Sequence, residues 1–246
     1  MISSNSHAMV ADIMNYISLL LGLIEAQDWV KIEDIALSNP KTFQIISKTI
    51  ANCEDFNGMT LLHFCVRFNP PVRILDQMIR LYPRALKGED CLGRTPLHVA
   101  AGCGANPIVI KILTINYPQA CNVQDEDGRT PLHFACDTSC ELFEDNQCSP
   151  RESPCLDTVR VLLSGSMDAV TLEDEDEMNA VEYAIISDAP MKVVNLLQKA
   201  TQRVLKKAKA NNDKYLKTSN QTTTVLDDNT LQTSHPMSVR PRLSIH

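Results

Sequence analysis

Apolar residues recur at helical spacing along most of the chain, and the recurrence is itself repeated. Ile13, Ile17, Leu20, Leu21 and Ile24 predict a helix over Val10–Ala26, and a second follows over Asp28–Leu37, stopped before Asn39-Pro40. Phe43–Ala51 reads as a further turn or two in the connection to Glu54-Asp55. Beyond it the pattern settles into pairs. Short apolar stretches around Leu62, Leu97 and Leu132 alternate with second helices. Two of these, Val72–Leu81 and Pro107–Asn116, carry Leu75, Met78, Ile79 and Ile110, Leu113 on their inward faces. Each ends in Tyr-Pro, where the proline ring and its missing N–H bar further helix.

The pairing is marked by a phrase written twice, Gly93-Arg94-Thr95-Pro96-Leu97-His98-Val99-Ala100 and Gly128-Arg129-Thr130-Pro131-Leu132-His133-Phe134-Ala135. A blurred copy, Gly58-Met59-Thr60-Leu61-Leu62-His63-Phe64-Cys65, lies 35 positions upstream of the first. Glycine permits the positive φ of a tight turn, threonine accepts from a free helical N–H, and proline at the first helical position gives up only an unpaired donor. Thr95–Ala100 and Thr130–Ala135 match the T-P-L-H-x-A signature at every specified position, so this region resembles the ankyrin repeat. The resemblance implies an all-α solenoid: about four stacked helix-turn-helix units with hairpin-like loops, an N-terminal helical cap and a disordered C-terminal tail. The period of 35 exceeds the family's usual value of about 33, with the excess assigned to surface positions before the second helix and at Tyr-Pro.

In this register residues 10–54 form the cap and residues 55–209 the repeats, divided as 58–92, 93–127, 128–176 and a degenerate 177–209. The second half of repeat three aligns at an offset of 49 instead of 35, which leaves 14 extra residues near 140–153 between its two helices. Repeat four carries Asn179-Ala180-Val181-Glu182-Tyr183-Ala184 in place of the signature. Glu177 stands at its glycine position, where positive φ costs a non-glycine residue about 1–2 kcal/mol, so a reshaped turn is expected. The last helix should end near Lys209, and residues 210–246, polar and aperiodic, lack the means to order themselves.

Composition narrows the function classes. The net charge of −7 and the few aromatic residues, 5%, argue against nucleic-acid binding, although Lys206-Lys207-Ala208-Lys209 forms a basic run on the last helix. That run reads as a solubilising cap face before it reads as a nuclear-import signal. Ile17–Ile24 is shorter than the roughly 20 residues of a spanning helix, and Asp12 precedes it, so neither a membrane nor an export address is expected. Nine cysteines, several in small apolar slots of the repeats such as Cys65 and Cys136, point to an intracellular chain with free thiols, cytoplasmic before nuclear.

The resemblance implies a monomeric, non-enzymatic scaffold or adaptor with no cofactor. It would grip a partner protein through its loop tips and the first-helix, concave face. Mapped onto this chain, the partner-binding residues are Glu89, Cys91, Leu92, Glu126, Asp127, Glu173, Glu175 and Asp176, with Glu177 beside them. Their carboxylates would favour a partner with a basic surface. Asp55, Asp90, Asp125 and Asp174 share one register and are assigned to turn structure. His63, His98 and His133 recur with the phrase and are read as structural, since no nucleophile or base converges on any of them. The alternative is a metal- or thiol-responsive regulator, with Cys136, Cys140, Cys148 and Cys155 as zinc ligands. Ser149-Pro150 and Ser153-Pro154 are candidate phosphorylation dipeptides in the same insertion. The insertion is expected to leave the solenoid opposite the tips, away from the binding surface.

Overall fold

The computed structural model describes residues 3–140, 142–143 and 151–227, with side chains described for 12–140, 142–143 and 151–212. Two compact units divide the chain, Met1–Val204 and Leu205–His246. The first begins with three helices, α1 (Ser3–Glu25), α2 (Trp29–Ser38) and α3 (Pro40–Ala51). Four helix pairs follow: α4 (Leu61–Arg67) with α5 (Val72–Leu81), α6 (Pro96–Gly102) with α7 (Pro107–Asn116), α8 (Pro131–Cys136) with α9 (Leu156–Gly165), and α10 (Ala180–Ile186) with α11 (Met191–Asp227). Among the described residues there is no named strand, and no helix is long and apolar enough to cross a membrane.

The cap is larger than the pattern predicted. α1 begins at Ser3, ahead of Val10, because nothing in the polar lead-in breaks a helix. α3 is a full helix opened by Pro40 at its first position. It buries Phe43, Ile46 and Ile50, which complete an apolar cluster with Ile17, Leu20 and Ile24 of α1 and Ile32 of α2. Proline 40 thus ends α2 and starts α3, since its ring is barred only from helix interiors.

Repeat one divides its faces between two cores. Leu61, Cys65, Ile74 and Met78 pack into the cap cluster. Leu62, Val66, Leu75 and Ile79 open the long core that runs through Leu97, Ile110, Leu132, Val159, Leu162, Ala184 and Leu197. Leu62, Leu97 and Leu132 are buried in series, and Val181 packs against the same core. Each Tyr-Pro opens a 3-10 turn, Pro83–Lys87 or Pro118–Asn122, that tucks Ala85 and Leu86, or Ala120 and Cys121, beneath the next repeat. Cys121, fully buried here, occupies the slot of Leu86.

The turn at Glu177 is kept, not reshaped. Glu177 holds φ at +59°, beside +74°, +72° and +76° at Gly58, Gly93 and Gly128. Its hairpin closes through the same bonds: Glu177 N–H donates to Asp174 O, and the Asp174 carboxylate accepts from the N–H groups of Asp176 and Met178. The difference lies in space. A Cβ at Gly128 would come within 3.0 Å of the Asp174 Cα in the next hairpin, and at Gly58 within 2.9 Å of Glu89 O. Glu177 sits on the last hairpin among the described residues, so it meets the φ cost without that clash.

α11 runs to Asp227, past the predicted end near Lys209. The expected tail falls in part on residues 228–246, which lie outside the described residues.

Gly128→Ala is expected to cost about 2–4 kcal/mol, combining positive-φ strain with overpacking. Glu177→Gly should instead stabilise by about 0.5–1 kcal/mol, the relieved strain less the added backbone entropy. Urea unfolding of both variants measures the two signs.

Candidate protein-binding surface

The tips are built by a repeated carboxylate device. Asp90 Oδ1 accepts from Leu92 N–H at 3.0 Å and Arg94 N–H at 2.9 Å. Asp125 Oδ1 does the same for Asp127 and Arg129 at 3.2 and 2.7 Å, and Asp174 Oδ1 for Asp176 and Met178 at 3.1 and 2.9 Å. Burial pushes the Asp125 carboxyl upward. At Asp174 burial pulls the same way, but bonds from the Tyr183 hydroxyl and Met178 N–H outweigh it and lower the value. Asp55 breaks the series: it lies exposed in a 3-10 turn, Glu54–Phe56, ahead of the first hairpin.

Successive tips are then tied backbone to backbone. Cys91 N–H donates to Asn57 O at 2.7 Å, Glu126 N–H to Leu92 O at 2.9 Å and Glu175 N–H to Asp127 O at 3.0 Å. One bond per step spaces the tips evenly. Glu89, Cys91, Leu92, Glu126, Asp127, Glu173, Glu175, Asp176 and Glu177 are all solvent-exposed on this ladder. Sequence reasoning placed them there by repeat register alone.

Beneath the ladder each signature histidine joins two repeats. The Nδ1 atoms of His63, His98 and His133 accept from the backbone N–H of Thr60, Thr95 and Thr130 at 2.9, 3.0 and 2.9 Å. That assigns the proton to Nε2, which donates forward to Arg94 O at 2.9 Å, Arg129 O at 3.2 Å and Met178 O at 3.2 Å. All three rings are buried. Burial lowers their pKa values, to about 4 at His63 and about 3 at His98, so the imidazoles stay neutral. In repeat four Glu182 replaces histidine and performs the local half of the task, its Oε2 accepting from Asn179 N–H at 2.7 Å.

The insertion does not keep clear of the binding surface. Its described residues lie against the first helices and hairpins of repeats one to three. Leu142 occupies a dent at Gly102, where a Cβ would stand 2.2 Å from the leucine Cδ1. Leu142 O accepts from Arg94 Nη1 at 3.4 Å, and the Phe143 ring lies 4.0 Å from the Arg67 guanidinium. The register showed where the insertion leaves the array but not Gly102 and Arg67 as the places that receive it. Arg151 closes the far side. Its guanidinium donates to the carbonyls of Ala101 at 3.1 Å, Phe134 at 2.8 Å and Ala135 at 3.4 Å, and to that of Asp137. These carbonyls lie at the C-terminal ends of α6 and α8, and Ala101 O also accepts from Gly104 N–H. No repeat pattern singled out Arg151, because the residue lies outside the repeat.

The two phrase arginines diverge accordingly. Arg94 turns to its own hairpin, with Nε 2.8 Å and Nη2 2.7 Å from Asp90 Oδ2. Arg129 reaches Asp137 at 2.5 Å, where α8 ends, and lies over the rings of Phe134 and Tyr183 at 4.5 and 4.8 Å. Tyr183 takes the Arg94 role on Asp174, its hydroxyl donating at 2.6 Å.

Nothing gathers the cysteines into a metal centre. No group of three or more His, Cys, Asp or Glu among the described residues is placed to hold an ion, and Cys148 and Ser149-Pro150 lie outside those residues. Cys136 fills a core slot with its thiol pushed up to about 12 by burial, and burial raises Cys140 as well. Cys155 is exposed at the start of α9. The thiol- or metal-sensing alternative therefore has no support in this geometry.

Helix pairs stacked along a shared core, joined by a bonded ladder of hairpins and by a forward-reaching histidine, define a helical solenoid with an open edge. Residues 78–135 match the family model described as ankyrin repeats (many copies), and residues 127–172 match the ankyrin repeat. Residues 78–172 are thus ankyrin repeats, and ankyrin repeats are in general protein–protein interaction modules. A search of curated proteins returns no match. The matched span begins within α5 and stops before α10, so the structure adds repeat one's first helix and the whole of repeat four to the array.

Because an unfolded histidine protonates near pH 6.5 while His63 and His98 are held near 4 and 3 by burial, stability is lost as pH falls through this window. These two histidines should each contribute a loss of about 1.5–2 kcal/mol between pH 6.5 and 5. Urea unfolding across that range is expected to show the slope, and His98→Asn to reduce it.

Proposed function

We propose that the chain is a monomeric, non-enzymatic intracellular adaptor that holds a partner protein along its hairpin ladder. The observation that carries this reading is the row of exposed carboxylates on three consecutive bonded tips: Glu89, Glu126 with Asp127, and Glu173 with Glu175 and Asp176. The aspartates that build the turns are buried and committed to backbone N–H groups, so the exposed acids exceed what the fold requires. A partner with a basic surface is the complement of such a row. Cys91 and the exposed Leu92 add an apolar contact between the first two rungs.

A binding role also fits the histidines, whose ring nitrogens are committed to repeat-to-repeat bonds. Thiols seated in apolar slots, such as Cys65, Cys121 and Cys136, suit a reducing compartment.

Affinity capture with the wild-type chain and with Glu126→Lys/Asp127→Lys, followed by mass spectrometry, tests the reading. The specific partner should be lost from the variant and released as salt rises from about 0.05 to about 0.5 M, which shortens the screening length from about 14 to about 4 Å. Capture indifferent to both changes would remove the ladder from the interface.

A further inference from the structure

We propose that the first-helix face carries a second binding site, for a leucine–aromatic pair on a short segment of a partner protein, and that Leu142-Phe143 is its resident occupant in cis. The proposal rests on the protein-binding reading above but uses none of the tip residues.

Arg67, Arg94 and Gly102 belong to repeats one and two and Phe134 to the first helix of repeat three, whereas the occupant belongs to the insertion that follows that helix. Arg67, at the end of α4, stands 4.0 Å from the Phe143 ring centroid, and Arg94 stands 5.8 Å from it. Arg67 also lies 5.3 Å from the Phe68 ring, so the incoming aromatic shares a guanidinium with a ring of the host. Leu142 drops into the Gly102 dent against Phe134, and its carbonyl accepts from Arg94 at 3.4 Å across 48 positions of sequence. Apolar pocket, cation over ring and donor to backbone are the elements with which a groove reads a short peptide.

Three of the receiving groups are positioned apart from the occupant: Arg94 is held by Asp90, Gly102 by α6 and Phe134 by α8. The ends of the insertion are moored separately, at Asp137 by Arg129 and at Arg151 by the helix carbonyls. Leu142 and Phe143 can therefore leave without unpacking a repeat. A tethered occupant acts at an effective concentration of about 1 mM, so a free peptide of the same chemistry with an intrinsic Kd of about 100 μM would be held back about tenfold.

The probe is a fluorescein-labelled peptide with the sequence of residues 138–147, Cys140 replaced by serine. Its anisotropy is titrated with the full chain and with Leu142→Ala/Phe143→Ala. The variant should bind about tenfold more tightly than wild type. Adding Arg67→Ala to the variant should abolish the gain, and the peptide with alanine for its phenylalanine should not bind. Equal affinity for the two chains, no binding to the emptied variant, or indifference to Arg67→Ala would each overturn the proposal. Light scattering that finds a wild-type dimer dissociated by Leu142→Ala/Phe143→Ala would overturn it too, by assigning the occupant to a second copy. Glu126→Lys/Asp127→Lys should leave peptide binding unchanged, so failure at the tips and failure here are read separately.

Discussion

Stacking in this chain depends on a neutral imidazole that faces two ways. Its Nδ1 takes the backbone N–H at the start of its own helix, and its Nε2 gives a proton to a carbonyl of the next hairpin. The helix-start N–H and the imidazole N–H are buried donors that would otherwise cost about 1–3 kcal/mol each, while the receiving carbonyl also accepts within its own hairpin. Only histidine offers an acceptor and a donor on opposite edges of one rigid ring at neutral pH. The same burial that makes the bonds worthwhile keeps the ring uncharged, so local cap and long-range joint are one device. The hairpin ladder above it follows, since each carbonyl that receives Nε2 belongs to the residue just before the next cap residue, Thr95, Thr130 or Asn179.

That dependence leaves the edges of each repeat free to vary, and the insertion shows how far. Repeat three shortens α8, releases the chain at Asp137, and returns it at α9 with the helix pair intact. The excursion is absorbed by groups the array already presents. The Arg129 guanidinium pairs with Asp137 and not with its own turn aspartate, and carbonyls at the ends of α6 and α8 accept from Arg151. Two copies of one phrase thus perform different work in Arg94 and Arg129. Their letters differ only at Val99 and Phe134, and Asp137, 8 residues after Arg129, with the rings of Phe134 and Tyr183, draws that arginine away from its own turn.

The array was legible because its cues are local. Glycine, threonine, proline, leucine and histidine at set offsets declare turn, cap, first turn and core, and the helix pairs, their inward faces and the exposed tips are where the register puts them. What escaped was set by contacts distant in sequence. Nothing near Phe43 announces that it will seal a three-helix cap, and nothing near Leu142 announces a dent 40 positions upstream at Gly102. Glu177 misled for a related reason. Its φ cost was visible, but the bonds from Asp174 that hold the turn, and the absence of a clash in the described hairpins, belong to the neighbourhood.

Repeat four shows which half of each device can be dropped. Asn179 and Glu182 reproduce the cap as a reciprocal pair, yet a carboxylate has no proton to offer a following carbonyl. Glu177 keeps the left-handed turn, yet its Cβ occupies the space that Gly128 leaves for the next hairpin. Tyr183 holds Asp174 through its hydroxyl and places its ring edge-on to His133, looking back along the stack. Of these residues Tyr183 keeps contact with repeat three, while Glu177 and Glu182 lack the open space and the donor by which the earlier repeats join a successor. A fifth unit stacked on this hairpin would meet a side chain where the earlier joints have a glycine and an acceptor where they have a donor.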